Sequence, residues 1–156
     1  MQIIVQELRD LIASYNQKIA SISDQDFYLK PGPSKWSKIE VLGHLVDSAQ
    51  NNLRRFVCGQ YEAIPPHIIY DQDFWVSANN YKNARKENII QLWALQNERI
   101  CDILENMPKP NYDRQCNTGK DLPQFRTLQW LAEDYVKHLK HHLNQIIPGS
   151  FDIVYR

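Results

Sequence analysis

Three histidines, His44, His138 and His142, are the residues of this chain whose types and spacing could do chemistry. Side chains four positions apart on a helix share a face, so His138 and His142 can address one cation while His44 approaches from a packed second helix. Three neutral imidazoles would leave a divalent ion with an open coordination position. The ion would keep its charge, so water or a thiol at that position becomes easier to deprotonate, bound water reaching a pKa of about 7 in the best cases. Zn is the default by donor type, and Ni, Fe or Mn suit the same nitrogens.

An imidazole ligand needs its second nitrogen held, and Asp47, Ser48 and Asp134 are near enough in sequence to do so, although each also fits a surface or capping role. His141 stands three residues from His138, but it points about 100 degrees away from His142 and off the apolar stripe. Trp36, Tyr70, Phe74 and Trp75 could line a substrate cleft or serve core and loop packing. No separate acid or base is readable, Glu133 and Asp134 being only nearby carboxylates.

The histidines must be carried by helices. Ile4, Leu8, Leu11, Ile12, Tyr15 and Ile19 predict an amphipathic helix over residues 2–22. Pro31, Gly32 and Pro33 make the next segment a connector. Ser37-Lys38-Ile39-Glu40 is a capping box that opens a second helix over 38–57, with His44 on the edge of its apolar face. From Gly59 to Tyr81 the chain is too irregular for a long helix and too aromatic for disorder, which predicts an ordered loop with one short helical turn. A third helix is expected over 84–107, stopped by Pro108 and Pro110. After a polar loop, Thr127 can cap a fourth helix that Pro148-Gly149 closes, and the tail beyond could add one extended segment. On the fourth helix Leu131, Tyr135, His138, His142 and Gln145 or Ile146 follow one another at steps of helical spacing, so the pair lies on the interior stripe. An all-α four-helix bundle is the simplest architecture, and the long linkers permit either an up-down path or a crossover.

The 156 residues fit a single domain, 1–156. Lys plus Arg equals Asp plus Glu at 18 each, with no run of like charge, which argues against nucleic acid as a partner. The opening MQIIVQELRD is no signal sequence and no stretch is apolar enough to span a bilayer, so neither membrane association nor export is expected and the protein should be cytoplasmic. Cys58, Cys101 and Cys116 are odd in number and widely spaced, which predicts reduced thiols, Cys101 packed inside its helix.

The strings KWSKIEVLGHLVDS and TLQWLAEDYVKHLKHHLNQI resemble the two signature regions of the DinB-like superfamily, particularly its YfiT-type metal-dependent hydrolases, and the likeness runs in order along nearly the whole chain. It implies a four-helix bundle with a three-histidine metal site, commonly a homodimer. The first ligand would be His44, in Trp36-Ser37 followed by His44-Leu45-Val46-Asp47-Ser48. The other two would be His138 and His142. The family's Tyr-Asp-x-x-Trp segment is similar to Tyr70-Asp71-Gln72-Asp73-Phe74-Trp75, which is one residue longer and leaves the roles of Asp71 and Asp73 open. The resemblance implies two chemistries on small-molecule substrates. One is transfer by a low-molecular-weight thiol, as in bacillithiol- and mycothiol-dependent transferases and isomerases; the other is hydrolysis of small esters or amides. A non-catalytic metal-binding stress-response protein is the third reading, and a fourth protein ligand closing the site would favour it.

Overall fold

A computed structural model describes residues 1–155. Four long helices form the bundle: α1 (Gln2–Ala20), α3 (Lys38–Tyr61), α5 (Lys86–Glu105) and α6 (Leu128–Ile146). Two short helices, α2 (Asp24–Tyr28) and α4 (Gln72–Ala78), lie in the connections, and β1 (Gln115–Asn117) pairs antiparallel with β2 (Phe125–Thr127) before α6. Their inward faces form one apolar core in which Leu8, Ile19, Leu42, Leu45, Trp93, Ile100, Leu104 and Leu139 are fully buried. No helix among the described residues is long and apolar enough to cross a membrane.

The order of helices around the bundle is α1, α5, α3, α6, because α1 and α3 each pack on both α5 and α6. Long-range contacts give the directions. Arg9 reaches Glu105 while Lys86 reaches the carbonyl of Ile22, so α1 and α5 are antiparallel. His44 meets His138 and Gly59 meets Leu128, so α3 and α6 are antiparallel. Glu7 pairs with Lys140, and Tyr15 packs on Phe151 beyond the end of α6, so α1 and α6 run the same way. Neighbouring α3 and α5 are therefore parallel, and parallel neighbours cannot be joined by a tight hairpin. Residues 62–85 are the crossover that returns the chain, which decides between the two paths that the linker lengths allowed.

Local chemistry sets the boundaries. The Glu40 carboxylate accepts from both the backbone N–H and the hydroxyl of Ser37 at 2.8 Å, closing the start of α3. Thr127 Oγ1 accepts from the N–H of Trp130 at 3.1 Å, the cap of α6. The first connector holds α2, which the proline-rich sequence hides: Ser23 caps it and Phe27 is fully buried beneath it. Helix α3 runs past the expected end at 57 to Tyr61. Gly59 lies inside it because a Cβ there would stand 2.7 Å from Leu128 Cδ2, so a bare backbone allows α3 and α6 to close. The expected turn in the aromatic loop is α4, capped by Asp71 through the N–H of Phe74 at 3.0 Å. The polar loop before α6 contains the β1–β2 hairpin, and Ile68 of the crossover donates to Asn117 of β1 at 3.2 Å. Residues 151–155 take no regular structure, although Tyr155 returns to α6.

Candidate metal centre

His44 sits in the second turn of α3 and His138 and His142 in the last turns of α6, so antiparallel packing brings all three to one end of the bundle. The Nε2 atoms of His44 and His138 lie 3.1 Å apart, and one ring nitrogen from each of the three falls within 4.8 Å of the others. The rings of His44 and His138 each stand 4.5 Å from that of His142, steeply inclined to it. His44 is fully buried and the other two are half-buried.

Burial holds the trio neutral. Desolvation, with His142 close by, lowers the His44 pKa to about 3, and desolvation lowers that of His142 to about 4. His138 is pushed well below the ordinary range by burial and by the neighbouring imidazoles. Each ring therefore offers a lone pair at neutral pH, and none carries a charge that would repel a cation.

Gln145 decides which nitrogen of His142 carries that lone pair. Its Oε1 lies 3.1 Å from His142 Nδ1, and since an amide oxygen only accepts, the proton sits on Nδ1 and Nε2 is free. The amide nitrogen of Gln145 donates to His141 Nε2 at 3.1 Å, so His141 is tied to the site's outer edge and is not one of the three. A tetrahedral ion bound at about 2.0–2.1 Å needs nitrogens roughly 3.3 Å apart, close to the His44–His138 separation. Three neutral nitrogens at one spot thus fit a divalent ion in donor type and placement.

Comparison with known proteins agrees with this arrangement. The sequence profile of the DinB superfamily matches residues 7–146. The chain belongs to the DinB superfamily. It is 25% identical over 149 residues to YfiT of Bacillus subtilis (strain 168), covering 94% of this chain and 82% of that protein. The solved structure of YfiT, described as a probable metal-dependent hydrolase with an unusual four-helix bundle topology, superposes with a TM-score of 0.84 at 23% identity, over 93% of this chain and 82% of the other. A mycothiol-dependent maleylpyruvate isomerase shares the fold at a TM-score of 0.73 and 7% identity, over 91% of this chain and 59% of that one.

In this DinB superfamily bundle the side chains around the trio take unequal parts. Ser48 Oγ lies 3.5 Å from His138 Nδ1. Asp47 faces elsewhere: its Oδ1 accepts from Tyr81 Oη at 2.7 Å and from Asn79 Nδ2 at 3.1 Å, and burial raises its pKa to about 6. Asp134 accepts from Tyr155 Oη at 3.0 Å. Neither carboxylate hydrogen-bonds to a histidine, because on α3 and α6 each points at a tyrosine delivered by another segment. The buried Nδ1 of His44 has no hydrogen-bond partner among the described residues, and Trp36, with its ring 5.1 Å from that of His44, supports it by packing.

A cleft of about 910 Å³ opens on His142 between the first connector and α4. Trp36 lines it; Tyr70, Phe74 and Trp75 do not. Tyr70 and Trp75 pack on each other with centroids 5.7 Å apart, and Phe74 is exposed on α4. Gln72 and Asp73, from the first turn of α4, take the place expected of those aromatics, together with Lys35 and Gln145. Two participants escaped the sequence reading. Gln145 had a signal, three residues beyond His142 on the same helix. Tyr155, whose ring stands 5.4 Å from that of His138, had none, since only the return of the tail places it there.

Proposed function

We propose that His44, His138 and His142 hold one divalent cation, and that the protein is a metal-dependent enzyme acting on a small molecule in the cleft beside His142. When bound, the ion would lower the pKa of a thiol or water at its open position. The observation that carries this reading is the meeting of three neutral imidazoles, exactly three among the described residues, at the edge of a cleft large enough for a thiol and its electrophile. Gln145 holds the His142 proton on Nδ1, keeping Nε2 free, and the Trp36 ring packs against that of His44. Asp47 and Asp134 are engaged with tyrosines, so neither is placed to give a proton to a departing amine, and Asp73 of α4 is the carboxylate that borders the cleft beside His142. The engagement of Asp47 and Asp134 supports transfer by a low-molecular-weight thiol, which needs a deprotonated sulfur more than a separate acid.

Hydrolysis of small esters or amides is the second reading, favoured by the likeness to YfiT. One experiment tests both. Protein purified without a histidine tag is analysed for metal as wild type and His138→Ala, then assayed on a panel of electrophiles and esters with and without a physiological thiol. Metal near one ion per chain in wild type alone, with electrophile loss that requires the thiol, is the expected result. Equal low metal in both proteins would overturn the site, and thiol-independent ester cleavage would replace transfer with hydrolysis.

A further inference from the structure

Helix α3 carries a polar stripe into the bundle that the three-histidine site does not use up. His44, Ser48, Asn52 and Arg55 follow at steps of four, four and three, one face of one helix. They are joined in sequence: Ser48 Oγ stands 3.5 Å from His138 Nδ1, Asn52 Nδ2 donates to Ser48 Oγ at 3.4 Å, and Arg55 Nη1 donates to Asn52 Oδ1 at 3.2 Å. Arg55 is the end of this line and its least explained member. Nε and Nη2 donate to the carbonyl of Ile68 at 3.1 and 2.8 Å, so every acceptor it has is neutral, and no carboxylate is paired with it among the described residues. A half-buried guanidinium cannot shed its proton to escape the cost of burial, so it calls for an anion.

The surroundings supply a place for one. Arg55 lines a second cavity, of about 290 Å³, together with Tyr70, Thr118 and Lys120. Lys120 is an exposed ammonium at the rim and Tyr70 brings a hydroxyl, whereas the Thr118 hydroxyl donates to the Gln124 carbonyl at 3.3 Å. Asp71 also borders it, but its carboxylate is turned to the N-terminus of α4, where it accepts from Phe74 N–H. Asp134 bears on Arg55 from α6, yet it is held by Tyr155. Two cations and the Tyr70 hydroxyl stand against one carboxylate, Asp71, around this small hollow, a balance that suits a carboxylate ligand.

We propose that Arg55, Lys120 and Tyr70 form a binding site for a small carboxylate ligand. It stands apart from the three-histidine site, since none of its lining residues borders the cleft at His142.

The test uses succinate as the probe and neutral succinamide as its control, titrated by calorimetry into the metal-free protein. Succinate is expected to bind and succinamide not. Arg55→Gln should weaken succinate about tenfold or more and Lys120→Gln about threefold, as loss of a charge-assisted contact requires. His142→Ala should bind succinate as the wild type does, which separates this subsite from the metal: a failed metal site leaves the succinate result intact. Circular dichroism checks that Arg55→Gln folds, and if it does not, Lys120→Gln with Tyr70→Phe carries the test. Absence of succinate binding, equal binding of succinamide, or undiminished binding in the charge-removing variants would overturn the proposal.

Discussion

Gln145 Oε1 and His142 Nδ1 meet at 3.1 Å on the last turn of α6, so one side-chain amide sets the tautomer of one candidate ligand. A Gln145→Leu variant removes the acceptor while keeping the volume. Groups that orient a ligand in this way are worth about 10- to 100-fold in metal affinity, and competition with a chromophoric chelator should show a loss in that range. Unchanged affinity would mean that packing alone orients His142.

Metal should stabilise the fold, because the three candidate ligands come from α3 and α6 and converge only when those helices pack. A free ion at 100 times its Kd adds about 2.7 kcal/mol, and for a chain of this size that raises Tm by roughly 5–10 °C. Differential scanning calorimetry of wild type with Zn should show the rise, and His138→Ala should not.

Acid should destabilise the metal-free protein. His44 and His142 take up protons near pH 3 and 4 when folded, but near 6.5 once unfolding exposes them. Between those limits the unfolded chain binds more protons, so stability falls as pH drops from about 6.5 towards 4. Asp47 acts oppositely: its pKa is raised to about 6, so its cost diminishes as pH falls through that value. Burial raises Asp134 as well, and three depressed histidines outweigh these two raised carboxylates. Thermal denaturation in chelator should give a Tm that declines from pH 7 to 5, less steeply in His142→Gln, and a Tm that climbs would contradict the neutral trio.

Gly43 precedes His44 and faces Tyr81, whose Cδ2 would lie 2.1 Å from a Cβ added there. Gly43→Ala must push the Tyr81 ring away and so strain its hydrogen bond to the buried Asp47. Overpacking of this kind costs about 1–3 kcal/mol. Denaturant titration of Gly43→Ala, Tyr81→Ala and the double variant should show the double less destabilised than the sum, since removing the ring frees the space. Strict additivity would show that the two positions do not collide.

The amino-acid sequence alone determined the four long helices, because apolar spacing, the Ser37–Glu40 box and the Thr127 cap are local signals that packing has no reason to override. It also placed His44, His138 and His142 on inward faces. Helix α2 was hidden by the neighbouring prolines, and α3 outran its expected end because the value of Gly59 lies in what it touches, Leu128 on another helix. Tertiary structure alone decided the order of helices around the bundle, the parallel pairing of α3 with α5, and the partners of Asp47 and Asp134. It also set the cleft lining, with Gln72 and Asp73 in and Tyr70, Phe74 and Trp75 out, and brought Tyr155 to His138. The physical reason is range: helical periodicity is written within a few residues, whereas a carboxylate's partner or a cleft's wall is chosen by segments that meet only after the chain has crossed the bundle.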